Sequence, residues 1–198
     1  MPLNVPSPIS PISPFAPSVR AAVADCPVRK RLNHRGPLSL DTSSFWYFVT
    51  VCAAVRCVSG HGGCATAVRQ GLVVPDTPLM THAMDVLAAA RFRHGCGMWR
   101  LSLFLVMPDH LHMIVRFPSA RNEMERTVAD TKRWLSAAYG LRFQRGFFET
   151  RLRNDAHHAE KFCYICRNPV RKGLCASARA WPFVISFDRT TGEERVHR

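Results

Sequence analysis

Acidic residues are scarce in this chain: 14 of them face 27 basic ones, for a net charge of +13 over 198 residues. Such an imbalance exceeds what solubility requires of a small domain, and nearly all the cations are arginine, whose planar fork matches phosphate oxygens two at a time. It points to an anionic partner, nucleic acid foremost. Long apolar runs are missing too. No stretch approaches 18 residues, and no basic-then-apolar leader opens the chain, so a soluble, cytoplasmic protein with no membrane partner is expected. Eight cysteines are present but scattered through a chain long enough to bury a sizeable core without staples, so reduced thiols are expected. Tyrosine is rare as well, with three in the chain, which allows each to be weighed singly.

The charge is unevenly distributed. Residues 1–40 carry a net +4, residues 41–109 a net +1 and residues 110–198 a net +8. The first 40 residues also hold eight of the fourteen prolines, interleaved with serine. Such a segment cannot build a packed core and reads as a disordered arm, ending in the basic run from Arg29 to Arg35. A single folded domain over 41–187 and a polar tail over 188–198 complete the expected layout.

Within that domain, residues 45–52 are aromatic and β-branched, as in a buried strand. Residues 53–76 are hard to read, though Gly60, Gly62 and Gly63 imply a loop. A helical face follows over 78–94, closed by Gly95. Two apolar strands, 101–107 and 111–115, flank a turn at Pro108-Asp109. A second helix is predicted over 122–139, with Trp134 turned towards the core although off the main stripe. A strand over 147–152 and a third helix from Asp155 to about Arg167, ended by Asn168-Pro169, come last. This order of strand, helix, strand, strand, helix, strand, helix is a split β-α-β plan: an α+β, ferredoxin-like fold with an antiparallel sheet and helices on one side.

The chemistry concentrates in two places. His110 and His112 alternate on a predicted strand, so both imidazoles share one face with Cα atoms about 6.6–6.8 Å apart and can converge on one ion. A satisfied core histidine is the plainer reading of either one alone. On the third helix, Tyr164 and Asn168 stand one turn apart on a common face. Tyr47 reads as core and Tyr139 as packing at a helix end, while Tyr164 is either a surface residue of an amphipathic helix or a nucleophile. Cys163 and Cys166 form a Cys-x-x-Cys pair with no second pair, which argues against structural zinc.

Four ordered blocks then resemble a known family: residues 107–115 (MPDHLHMIV), 144–153 (QRGFFETRLR), 164–174 (YICRNPVRKGL) and 181–183 (WPF), preceded by 29–34 (RKRLNH) and 48–52 (FVTVC). Together they are similar to the IS200-related single-tyrosine HUH transposases, and more narrowly to the REP-associated tyrosine transposases. The resemblance implies an HUH/Rep-type fold, with His110 and His112 holding Mg²⁺ or Mn²⁺ and Tyr164 attacking a DNA phosphate to give a 5′-phosphotyrosine and a free 3′-hydroxyl. Asn168 stands where the family has a metal-binding glutamine, one methylene longer. The implied partner is single-stranded DNA with a hairpin, bound by a monomer or homodimer, and Arg145, Arg151, Arg153, Arg167, Arg171 and Lys172 are the candidate backbone contacts. Trp134 and Phe148 could stack on bases, but core packing is the expectation for both. Glu149 and Phe143 depart from the family pattern, which has aspartate and tryptophan there. A catalytically idle DNA-binding protein is the second reading. A third, an RNA-binding module on the same plan, lacks the usual exposed aromatics on its strands.

Overall fold

A computed structural model describes residues 45–54, 66–69, 72–118 and 123–195. The proline-rich arm and the glycines at 60–63 lie outside the described residues.

The chain enters the sheet at once. Strand β1 (Trp46–Cys52) lies one strand in from its edge, its β-branched and aromatic residues packed on both sides. Strands β2 (Thr66–Arg69) and β3 (Leu72–Pro75) form a separate antiparallel pair, held to the body where the Val73 N–H donates to the Leu174 carbonyl at 2.8 Å. The segment read as loop from its glycines therefore ends in a small hairpin.

The helix predicted over 78–94 divides into α1 (Pro78–Thr81) and α2 (Ala83–Gly95), with His82 between them at φ −107° and ψ 20°. Tertiary contacts override the continuous periodicity at this point. Thr77 caps α1 by accepting the Met80 N–H, and its hydroxyl donates to the Pro108 carbonyl at 2.9 Å, while the His82 ring stacks on Tyr139 at 5.0 Å. Closure of α2 falls to Gly97 rather than Gly95. Gly97, at φ 70°, donates to His94 and Met98 to Arg93, the paired bonds that end a helix on a left-handed glycine.

Strands β4 (Arg100–Val106) and β5 (His110–Arg116) form the predicted hairpin, turned at Pro108-Asp109. Helix α3 (Glu123–Tyr139) buries Val128, Thr131 and Leu135. Strand β6 (Phe148–Leu152) pairs with β1, and helix α4 (Asp155–Arg171) follows, capped by the Asn154 side chain, which accepts the His157 N–H at 2.8 Å.

Asn168-Pro169 does not end α4 as expected. One missing N–H so near the terminus forfeits a single helical bond. The helix instead stops at Gly173, at φ 67°, where Gly173 donates to Val170 and Leu174 to Pro169. Past a short 3₁₀ turn at 178–180, strands β7 (Val184–Phe187) and β8 (Glu194–Arg195) extend the sheet into the stretch read as polar tail.

The sheet order is β6-β1-β5-β4-β7-β8, antiparallel throughout. Its first four members stand in the order fourth, first, third, second of the split β-α-β plan, so the α+β ferredoxin-like reading holds. The placement of the helices does not. Helices α2 and α3 cover the face of Val51, Phe104, Leu111 and Met113: Val128, Thr131 and Leu135 abut those side chains, and the neighbouring Trp99 indole donates to the Ala90 carbonyl at 3.3 Å. Helix α4 lies on the opposite face, its His158 and Tyr164 rings against Trp46 and Phe48 at 5.7 and 6.1 Å. A two-residue strand period sets these faces apart, and buried strands with apolar residues on both sides give no sequence sign of which face a helix covers. No helix among the described residues is long and apolar enough to cross a membrane.

Candidate active site

Strand β5 starts at the hairpin turn, so its first residues lie at the end of the sheet, and pairing with β1 sets Cys52 opposite His110 and Thr50 opposite His112. Alternation puts His110, His112, Thr50 and Phe48 on the α4 face. Both imidazoles are buried, with 9% and 5% of their surface exposed, and their Nε2 atoms face each other at 3.0 Å. Each outer nitrogen is engaged: His110 Nδ1 meets an Asp109 carboxylate oxygen at 2.6 Å and His112 Nδ1 meets the Thr50 hydroxyl at 2.9 Å.

These partners fix the protons. The Asp109 carboxylate is an acceptor, so His110 carries a proton on Nδ1 and, as a metal ligand, would turn an Nε2 lone pair inward. Two arrangements then satisfy His112. Its Nε2–H fills the gap to His110, or its proton moves to the Thr50 side and both Nε2 lone pairs point at a cation. Burial, and next the neighbouring charge of His110, push His112 well below the ordinary histidine value, so it stays neutral, as a ligand must. Burial pushes the Asp109 carboxyl up, but the hydrogen bond and charge of His110 outweigh it, with Lys172 adding to them, and the group stays ionised. An imidazole pair whose outer nitrogens are held by a carboxylate and a hydroxyl, with the two Nε2 atoms facing each other, suits a divalent cation. Among the described residues no group of three or more His, Cys, Asp or Glu side chains is placed to hold a metal. Asn168, one turn after Tyr164, carries an amide oxygen of the kind that can serve as a third ligand.

Helix α4 supplies the other half. The Tyr164 ring packs 6.1 Å from His112 and 6.1 Å from Phe48, with 39% of the residue exposed. Its neighbours at i−3 and i+7 are cationic, Lys161 and Arg171, lying 5.8 and 5.2 Å from the ring. Asn168 is buried one turn after Tyr164, beside Ile165 and Pro169 in the chain. The arrangement joins a partly exposed tyrosine, a histidine pair and positive charge, parts that can place a phosphodiester for in-line attack. Tyr47 is core, as expected, and Tyr139 packs against His82 and Trp134. Cys163 and Cys166 are free thiols on α4, and burial pushes Cys166 up to about 11, so it holds its proton.

The six cationic candidates separate into groups. Arg167, Arg171 and Lys172 are exposed on the last turns of α4, on the side of Tyr164 away from the helix start. Arg151 stacks its guanidinium over Phe45 at 4.8 Å on β6, and Arg153 is exposed just beyond it. Arg145 is exposed in the loop before β6, where Lys132 ties down the carbonyls of Gln144, Arg145 and Gly146 at 2.8, 3.0 and 3.3 Å. Phe148 is half-buried, but Trp134, expected in the core, is 44% exposed. Its off-stripe position was the visible sign. Sequence reasoning missed Thr50, Phe48 and Lys161. Thr50 becomes legible only once the β1–β5 register is known, whereas Asp109 and Lys161 adjoin or precede the singled-out residues by one to three positions.

No protein-family model matches the chain. A curated protein of Escherichia coli (strain K12), the REP-associated tyrosine transposase, is 28% identical over 117 residues, which is 58% of this chain and 67% of that protein. A solved structure of a REP-associated tyrosine transposase bound to a REP hairpin superposes with a TM-score of 0.58 at 20% identity, covering 77% of this chain and 82% of the other. At that identity the superposition speaks for the fold, while the curated relative aligns by sequence. In sequence and in fold, this chain resembles the REP-associated tyrosine transposases.

Proposed function

We propose that the protein cleaves and rejoins hairpin-bearing single-stranded DNA through Tyr164, as a metal-dependent single-tyrosine transposase of the HUH type. One observation carries this reading: Tyr164 and the His110–His112 pair, far apart in sequence on α4 and β5, meet on one face of the sheet. His110, His112 and Asn168 would hold Mg²⁺ or Mn²⁺, with water and a substrate phosphate completing an oxygen-rich shell. Such an ion, when bound, supplies charge neutralisation at the non-bridging phosphate oxygens.

The chain's own groups then act in order. Tyr164 loses its phenolic proton and its oxygen bonds to phosphorus; the bond to the 3′ oxygen breaks, and that oxygen leaves as a 3′-hydroxyl. Lys161 and Arg171 offset the charge that develops beside the ring. Reverse attack by a 3′-hydroxyl restores the phosphodiester and frees the tyrosine, so the phosphoester bond energy is conserved without an external energy source. Because Tyr164 sits beside His112 of its own chain, a single copy carries both groups, and the reading is of cis action within a domain that starts near residue 41, after the arm of 1–40, and runs on through β8.

A labelled hairpin oligonucleotide incubated with the protein and Mn²⁺ should give a covalent adduct that is absent from Tyr164→Phe and lost on chelation. Hairpin binding without any adduct would overturn this reading in favour of an idle DNA-binding protein.

A further inference from the structure

At the other end of α4, the start of the helix opens onto a cavity of about 200 Å³ lined by Phe45, Trp46, Arg153, Asp155, His158 and Arg189, among others. His158 is buried, with 7% of its surface exposed, and its Nε2 is enclosed without a hydrogen-bond partner. Nδ1 and Nε2 of a neutral imidazole always include one donor and one acceptor, so a buried ring nitrogen with no protein partner is a polar group left for a ligand or a water to satisfy.

The surroundings define its charge. Arg189 lines the cavity and reaches Asp155 with one nitrogen at 2.7 Å, and Arg153 lines it from the end of β6. Arg116 lies over the Trp46 ring at 4.8 Å with its own Nε buried and unpartnered, close enough to Arg189 and Arg100 that, after burial, their like charges pull it down. Arg153 and Arg189 thus line the cavity beside the Asp155 carboxylate, with Arg116 and Arg100 gathered near Arg189, whose chain neighbour Asp188 is paired with Arg195. Helix α4 also begins here, where the first-turn N–H groups of Asp155 and Ala156 have no intrahelical acceptor and the dipole favours an anion. A cation is repelled by this set.

We propose that this cavity is a phosphate-binding pocket that takes a backbone phosphate of the DNA strand a few nucleotides from the phosphodiester facing Tyr164. The assignment of the strand rests on the function proposed above; the pocket's affinity for phosphate does not. Trp46 and Phe48, on which His158 and Tyr164 lean, are two residues apart on the same face of β1. Along α4 the cavity and Tyr164 are about 13 Å apart at about 1.5 Å per residue. One strand lying along α4 can therefore meet both, its phosphate seated by His158, Arg189 and the helix start. Arg189 exchanges its bond to Asp155 for the phosphate as the strand seats.

The test titrates the full chain by NMR with inorganic phosphate, then with a 5′-phosphorylated trinucleotide and the same trinucleotide without that phosphate. The His158 ring resonances should move with inorganic phosphate and with the phosphorylated trinucleotide, and its pKa should rise from about 4 as the anion binds. Arg189→Gln and His158→Phe should each weaken this binding about tenfold or more, the loss of one charge-assisted hydrogen bond. His158 resonances indifferent to both phosphate and trinucleotide would overturn the pocket. Response to inorganic phosphate alone would overturn the assignment to the DNA strand. Because these titrations need no cleavage, they test the pocket even if the adduct assay fails.

Discussion

The two faces of the central sheet differ in kind. Against α2 and α3 the strands present Val51, Phe104, Leu111 and Met113, each no more than 2% exposed, an apolar surface that carries the stability of the domain. Against α4 the same strands present Thr50, His110, His112 and Arg116, polar groups that cost free energy to bury unless each finds a partner. Strand β5 shows the contrast within three residues: Leu111 points one way and its two histidine neighbours the other. One face makes the sheet fold; the other spends part of that stability holding groups in place for chemistry.

The sharpest way to break this comparison is on the α4 face. Tyr164→Phe should abolish the covalent adduct while leaving the melting temperature near wild type, since the hydroxyl sits on a residue 39% exposed. A residual adduct in that variant, mapped to another residue, would show that the division of labour lies elsewhere. Next in size is Leu111→Ala, which should cost about 2–5 kcal/mol in a urea melt by opening a cavity in the α2–α3 face, yet allow adduct formation at temperatures where it stays folded. His112→Ala should do the reverse, ending metal-dependent cleavage and destabilising less, by about 1–3 kcal/mol for the Thr50 and His110 groups left without their partner.

Much of this was legible in the chain, and the parts that were not share a cause. The β4–β5 hairpin, the alternation of His110 and His112, and the one-turn spacing of Tyr164 and Asn168 are local periodicities, written in neighbouring residues. The fold class followed from the order of such elements. What escaped depends on pairing across distance. Thr50 reaches His112 only through the β1–β5 register, and the short β7 and β8 strands carry too few residues to show a period. Asn168-Pro169 read as a helix end because the proline rule is local, but the six-residue bonding at Gly173 decides the true terminus. The side of the sheet that α4 covers was the largest miss, for β1 and β4 bury apolar residues on both faces and offer no pattern from which to read it.

Sharpening the comparison calls for a smaller change to the supports of the histidine pair. Asp109→Asn removes the carboxylate that fixes the proton on His110 Nδ1, leaving an amide that can present either a donor or an acceptor. Mn²⁺ affinity, read by calorimetry, should fall about 10–100-fold, the usual effect of losing such a second partner. The fold should be kept, since Asp109 sits in the turn rather than in the sheet. Unchanged Mn²⁺ affinity in this variant would separate the pair from metal binding.

The smallest effect concerns acid. His158 titrates at about 4 in the folded protein, held down first by burial and then by Arg189, against about 6.5 when unfolded. Between those values the unfolded chain binds the extra proton, so stability is fully present at neutral pH and falls as pH drops from about 6.5 towards 4. The contribution of His158 is about 1–3 kcal/mol after allowance for solvent screening. His158→Phe should flatten that part of a stability-against-pH curve measured by chemical denaturation, leaving the part due to His112, which burial also holds neutral. A curve with the same slope in both proteins would mean that the α4 face places no acid-sensitive strain at this histidine, and that the polar side of the sheet differs from the apolar one at the β5 pair alone.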